Sequence, residues 1–229
     1  TGQDALLGRR GRSIEPLKGL GRGAVFCHFS GVSDPTWGAL AARGNIKVLI
    51  RDDGWGWIIP LTGQRVSVGF VSHVRPIDTE VLDAVLGQSP VLQGITVGTQ
   101  RSQTRLVRNF SYKNNASVGP RYACIGDAAC FLDPVFSSGV SLAMLGAERL
   151  ADVLSPALRD GREGEAGAMA QLETHMAHAY RSVGALVHSF YNTGIAQNIF
   201  FAKSPIPELR SGLISMLASL ARRVIGSAN

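Results

Sequence analysis

The clearest patterning in the chain lies between residues 46 and 72, where the strand-like runs Ile46–Ile50, Trp55–Ile59 and Arg65–Val71 follow one another. Asp53-Gly54 separates the first two and Thr62-Gly63-Gln64 the last two. Both are hairpin signals, so the segment predicts an antiparallel meander. Side chains alternate faces along a strand, which places Trp55 and Trp57 together as an aromatic wall. Taken alone, the pair is better explained as core or interface side chains, because indoles bury a large area wherever they sit.

Upstream, Ala24–Phe29 reads as a strand, and the glycine- and arginine-rich segment from Gly8 to Gly23 reads as loop. Gly19-x-Gly21-x-Gly23 lacks the Gly-x-Gly-x-x-Gly spacing of a phosphate loop and leads into a strand rather than a helix, so it predicts a turn. Downstream, Ile77, Val81, Leu82, Val85 and Leu86 stand at helical spacing, which suggests an amphipathic helix lying on the sheet. Gly94–Asn109 predicts a returning strand. Tyr122–Ile125 is apolar throughout, as strands covered on both faces are. An Ala/Leu-rich helix is expected up to Leu154, broken by Ser155-Pro156 and the Gly/Arg/Glu stretch 160–167. Helices over Met169–Tyr191 and Glu208–Val224 close the chain. No internal repeat or low-complexity tract is visible.

Composition narrows the class. With 229 residues, 45% of them hydrophobic, and 27 glycines, the chain suits one large or two small soluble α/β domains. No apolar run reaches the roughly 18 residues that span a bilayer and no signal peptide is recognisable, so a cytoplasmic location without a transmembrane segment is expected. The three cysteines, Cys27, Cys124 and Cys130, sit in apolar contexts and predict buried, reduced thiols. His175 and His178 share a helix face but have no recognisable third ligand, and no metal site is expected. The net charge of +6 comes with scattered arginines, without aromatic interleaving and without a nucleic-acid motif. That excludes nucleic acid as the expected partner and leaves a solvated basic surface or an acidic protein partner such as an acyl carrier protein.

The densest chemical signal runs from Cys124 to Gly146. The short strand stops at Gly126-Asp127, a loop with Pro134 follows, and Ser137-Ser138-Gly139 leads into the Ala/Leu-rich helix. Strand, acidic residue, glycine-bearing turn and helix start suit a dinucleotide cofactor. The carboxylate can accept hydrogen bonds from sugar or ribityl hydroxyls, and the open N–H groups of a helix start attract negative charge.

This stretch resembles the second flavin-binding motif of the flavin-dependent monooxygenase superfamily. Within it, Phe131-x-x-Pro134-x-x-Ser137-x-Gly139 is similar to the signature carried by flavin-dependent halogenases. Trp55-Gly56-Trp57-Ile58-Ile59-Pro60 matches in full the Trp-x-Trp-x-Ile-Pro pattern of the same family. The resemblance covers most of the chain and thins beyond about residue 160, where Phe190-Tyr191, Phe200-Phe201 and Leu209-Arg210 still look like the family's C-terminal helices. Phenol- and pyrrole-acting halogenases are the nearer match.

The resemblance implies an α/β (α+β) fold. Residues 1–22 and 106–160 would form part of a Rossmann-like FAD-binding domain, 23–105 an antiparallel-sheet substrate domain, and 161–229 a C-terminal helical region. Gly2–Leu7 looks like the tail of the family's Asp-Ala-Ser/Thr-Gly strand end. The cofactor implied is FAD, reduced by a separate flavin reductase, contacted by Gly126, Asp127, Pro134, Gly139 and Val140. A chloride or bromide ion would bind the amides of Ser138 and Gly139, near the positive end of the helix dipole. Trp55, Trp57, Pro60 and Phe131 would separate flavin from substrate. The implied activity is halogenation, through a flavin hydroperoxide and hypohalous acid, of an electron-rich phenolic or pyrrolic substrate, free or bound to a carrier protein. The family's lysine and first glycine-rich loop would lie upstream of the matched region, since Lys18, Lys47, Lys113 and Lys203 are not in its context, and the chain reads as a C-terminal part that is inactive by itself. A flavin-dependent hydroxylase or reductase of the same superfamily, and a non-catalytic flavin- or partner-binding remnant, are the alternatives.

Overall fold

The computed structural model describes residues 2–20, 22–72, 76–165, 167–192, 207, 208, 211, 212, 214 and 215. The chain begins with a 3-10 turn (Gly2–Asp4), helix α1 (Leu6–Arg10), and strands β1 (Ile14–Pro16) and β2 (Gly23–Ser30). Helix α2 (Asp34–Ala41), strands β3 (Lys47–Arg51), β4 (Gly54–Leu61) and β5 (Arg65–Ser72), and helices α3 (Glu80–Gln88) and α4 (Pro90–Thr96) follow. Then come β6 (Gln100–Arg101), β7 (Arg105–Arg108), β8 (Tyr112–Asn114), β9 (Val118–Gly119), β10 (Tyr122–Ala123) and β11 (Cys130–Phe131). Helices α5 (Gly139–Arg159) and α6 (Ala170–Asn192) complete the described elements. Among the described residues no helix is long and apolar enough to cross a membrane. The chain divides into two compact units, residues 1–20 with 111–229, and residues 21–110.

The second unit is built on the expected meander. Its antiparallel sheet runs β3-β4-β5-β2-β6, with β7 also pairing with β2. Val25, Cys27 and Phe29 of β2, Ile58 of β4 and Val66, Val68 and Phe70 of β5 share one face and pack against Val81, Leu82 and Val85 of α3 and Leu92 and Ile95 of α4. The helical spacing of Ile77–Leu86 thus produces the helix it predicts. Alternation then turns Trp55 and Trp57 to the opposite face, where Phe26 joins them. The returning strand is shorter than expected, because α4 occupies the start of the 94–109 run. Ser89 caps that helix by accepting from Leu92 N, and Pro90 fits its first turn. Helix α2 has a Pro in its first turn but an irregular apolar pattern, so no helical spacing marks it in the sequence.

The first unit combines the sheet β1-β8-β11, the hairpin β9-β10 and the helix pair α5–α6. Leu142 of α5 meets Val183 and Val187 of α6 over Leu20, Cys130 and Leu132, and Leu145 meets Met169, Leu172 and Met176. Several expectations are corrected. The segment read as loop from Gly8 contains the end of α1 and all of β1, whose three residues pair with the distant β8. Gly2–Leu7, read as the end of a strand, forms a turn and the start of a helix. Of the run Tyr122–Ile125 only Tyr122 and Ala123 are strand, paired antiparallel with the neighbouring β9, and Tyr122 is 37% exposed. Every strand pairing among the described residues is antiparallel, so they contain no parallel Rossmann ladder.

Helix α5 continues through Pro156 to Arg159 rather than breaking there. The proline lies close to the helix end, Ala157 is buried just beyond it, and Gly161 at φ +66° closes the terminus. The helix expected over Met169–Tyr191 is α6, with Leu172, Met176, Val183, Val187 and Phe190 buried along one face. The helix expected over Glu208–Val224 and the Phe200-Phe201 and Leu209-Arg210 matches lie almost wholly outside the described residues.

Candidate functional site

The first unit holds a cavity of about 510 Å³ whose lining includes Gly126, Asp127, Phe131, Pro134, Ser138, Gly139 and Val140. Seven residues singled out in the sequence therefore converge on one space. The cause is local. Backbone that is extended at Ile125 turns at Gly126, which sits at φ +55°, and the 3-10 turn Gly126–Ala128 is closed by Ala129 N donating to Gly126 O at 2.9 Å. A Cβ on Gly126 would stand 2.8 Å from the Ala143 Cβ of α5, so glycine lets the turn press onto that helix.

From this turn Asp127 projects toward the start of α5. A Cβ on Gly139 would lie 3.7 Å from Asp127 Oδ1. Burial raises the Asp127 pKa above its ordinary value, and no described group donates a hydrogen bond to its carboxylate. Two tyrosines reach the same turn: Tyr112 Oη lies 2.6 Å from Asp127 O and 3.0 Å from Gln3 O, and Tyr180 Oη lies 3.4 Å from Gly126 O.

The far wall is a second short turn, Pro134–Phe136, capped by Asp133, which accepts from Val135 N at 2.9 Å. Asp133 is buried, and Tyr191 Oη of α6 donates to its carboxylate at 3.1–3.2 Å. Ser137 is left-handed at φ +51° and swings the chain into α5. The Ser138 side chain makes no capping hydrogen bond although the residue is buried. The N–H groups that open the 21-residue helix therefore keep their ordinary lack of intrahelical acceptors. A carboxylate acceptor, open amide donors and a glycine-lined approach between them fit a ligand carrying both hydroxyl and anionic groups.

Trp55, Trp57 and Pro60 belong to the second unit and are not among the residues lining this cavity. The two indoles stand 5.9 Å apart by ring centroids. Trp57 Nε1 donates to Ser67 Oγ at 3.1 Å, and its ring lies over Gly69, where any Cβ would collide with it. Trp55 is 5% exposed. Pro60 is paired with Val66 in the β4–β5 ladder.

A second space of about 550 Å³ in the first unit is lined by Leu17, Leu132, Leu172 and Met176, with Lys18 and Lys113. It is marginally larger, yet it contains neither the helix start nor the acidic turn, so the smaller cavity is the candidate site. Sequence reasoning missed Tyr112, Tyr180, Tyr191 and Asp133. The three tyrosines act across long sequence separations, and nothing in their local pattern marks them; Asp133 caps its own turn, and its tie to Tyr191 is the part that is not local.

Residues 27–211 match a family model described as tryptophan halogenase. The chain is 31% identical over 178 residues to the 1H-pyrrole-2-carbonyl-[peptidyl-carrier protein] brominase of Pseudoalteromonas luteoviolacea, covering 71% of this chain and 42% of that protein. It is 32% identical over 131 residues to the sulochrin halogenase gedL of Aspergillus terreus, covering 52% of this chain and 24% of that one. Among solved structures, the flavin-dependent brominase Bmp2 superposes with a TM-score of 0.72 at 26% identity, over 95% of this chain and 55% of that chain. The chain thus spans about half or less of the length of these relatives.

Proposed function

The chain belongs to the tryptophan halogenase family, and from that premise we propose that it contributes to FAD-dependent halogenation of an electron-rich aromatic substrate. The observation that carries this reading is the cavity in which the Asp127 carboxylate, without a hydrogen-bond donor among the described residues, faces the open start of α5. FAD offers what those groups lack: ribityl hydroxyls for Asp127 and negative charge for the amides. When bound and reduced by a separate flavin reductase, it would supply, with dioxygen, the two-electron oxidation of a halide.

The chain's own residues would divide the remaining work. Gly126 lets the cofactor approach the backbone closely, and Pro134 and Val140 give the cavity rigid apolar wall. The N–H groups at Ser138 and Gly139 hold chloride or bromide, with the dipole of α5 adding attraction. Phe131 packs toward the cofactor ring, and Trp55, Trp57 and Pro60 keep substrate apart from it.

The substrate we assign is phenolic or pyrrolic. The pyrrole brominase aligned over 71% of the chain supports a carrier-bound pyrrole, and the net charge of +6 suits an acidic carrier protein. The test is reconstitution of the complete native protein with FAD, a flavin reductase, bromide or chloride, and phenols or pyrroles offered free and on a carrier. A product mass increased by one halogen is the expected result. Incorporation of oxygen instead would place the chain among flavin-dependent hydroxylases, and absence of flavin binding would remove the reading.

A further inference from the structure

Nothing among the described residues grips the Asp127 carboxylate, so its aim is inherited from its own backbone. That backbone is a three-residue turn, held by hydroxyls that arrive from two separate elements. Tyr180 reaches the Gly126 carbonyl from α6 at 3.4 Å, the long and weak contact. Tyr112, 4% exposed on β8, makes the short one, 2.6 Å to the Asp127 carbonyl. Its hydroxyl has one proton, which serves this nearer carbonyl, while the Gln3 carbonyl stands 3.0 Å away on the other side. Gly2, next to Gln3, lines the same cavity. The Tyr112 hydroxyl therefore touches the backbone of Asp127, which lines the cavity, and of Gln3, the neighbour of a second lining residue.

We infer that Tyr112 is a positioning residue for the cofactor: its hydroxyl fixes the peptide plane after Asp127 and so directs the carboxylate into the cavity. The inference rests on the reading of this cavity as the flavin site. Burial, and next the neighbouring Asp127 charge, push the Tyr112 pKa up to about 12, so the group stays a donor throughout the neutral range. Removing the hydroxyl while keeping the ring leaves the packing of β8 intact. It frees the Asp127 peptide to rotate, and rotation about that peptide swings the side chain with it.

The experiment is a double-mutant cycle on FAD affinity in the complete native protein, read by flavin fluorescence, with thermal melting of each apo-protein alongside. Tyr112→Phe is expected to weaken FAD binding about fivefold to tenfold, the loss of one net hydrogen bond. In an Asp127→Asn background the same substitution should change affinity less than twofold, because the group it positions is already impaired. Equal weakening in both backgrounds would overturn the proposal, since a general structural defect adds independently of Asp127. Full affinity in Tyr112→Phe would overturn it too. Wild-type protein that binds no FAD, or Asp127→Asn that binds normally, would instead refute the flavin reading beneath it. Tyr180→Phe is the second variant should Tyr112→Phe fail to fold. Its expected loss is about twofold and likewise confined to the Asp127 background, and an equal loss in both backgrounds counts against the mechanism.

Discussion

Replacing Gly126 by alanine tests the geometry on which the site depends. The residue sits at φ +55°, a conformation that costs an L-residue about 1–2 kcal/mol. The new methyl would also stand 2.8 Å from the Ala143 Cβ, well inside the separation of about 3.5–4.0 Å at which carbon atoms attract. Overpacking of this kind costs about 1–3 kcal/mol. Alanine restricts the unfolded chain and returns about 0.4–1 kcal/mol. The balance is a destabilisation of about 3 kcal/mol, equivalent to roughly 6–12 °C in Tm for a chain of this size. Thermal unfolding followed by circular dichroism on the apo-protein measures it. A companion variant separates the causes: Ala143→Gly alone should cost about 1 kcal/mol through helix propensity. Combined with Gly126→Ala, it should remove the collision while leaving the left-handed strain. The pair is then expected to cost about 2 kcal/mol less than the sum of the single changes. A Tm for Gly126→Ala within about 2 °C of wild type would falsify both the left-handed turn and its pressure on α5.

Asp127→Asn should act in opposite directions on stability and binding. Burial raises the folded-state pKa of Asp127, so the stability linked to this group is present below its unfolded pKa and lost as pH rises through the folded one. The neutral asparagine should therefore raise the apo-protein Tm at neutral pH, with the gain shrinking toward acid, while FAD affinity falls about tenfold to a hundredfold. A melting series over pH with a parallel flavin titration would expose the error if the gain were independent of pH. Gly139→Val should abolish halide use, with oxidation of reduced flavin by dioxygen retained. Anomalous diffraction from bromide-soaked crystals that peaks away from the Ser138–Gly139 amides would sink that assignment. Trp55→Ala with Trp57→Ala, checked for folding by circular dichroism, should divert turnover from halogenated product to hydrogen peroxide. Unchanged product yield in a folded double variant would make the pair purely structural.

The meander of residues 46–72 was legible because a strand's twofold alternation and a hairpin's turn residues are local properties. The same holds for α3 and α6, whose apolar residues recur every three or four positions along one face. It holds also for the Gly126-Asp127 turn followed by a helix start at Gly139, where chain order alone supplies glycine, carboxylate and open amides. Strand β1 was not legible. Its three residues carry no pattern of their own and are strand only because β8, about a hundred positions away, offers a ladder. The Tyr122–Ile125 run shows the converse: its apolar composition was read as double-sided burial, yet the partner it finds among the described residues is the adjacent β9.

Local pattern thus supplied the inventory: which segments alternate, which are helical, and which residues bring an acid, an amide cluster or an aromatic wall. How those groups are held depends on contacts that exist only in the folded chain. Tyr112, Tyr180 and Tyr191 gain their roles from contacts 15 to 109 positions apart in the chain, down to a hydroxyl 2.6 Å from one carbonyl. The reason is physical. Periodicity and turn chemistry act between neighbours in sequence and leave a local mark. A hydrogen bond between distant elements is specified by packing, and packing leaves no mark at either residue until the chain has folded.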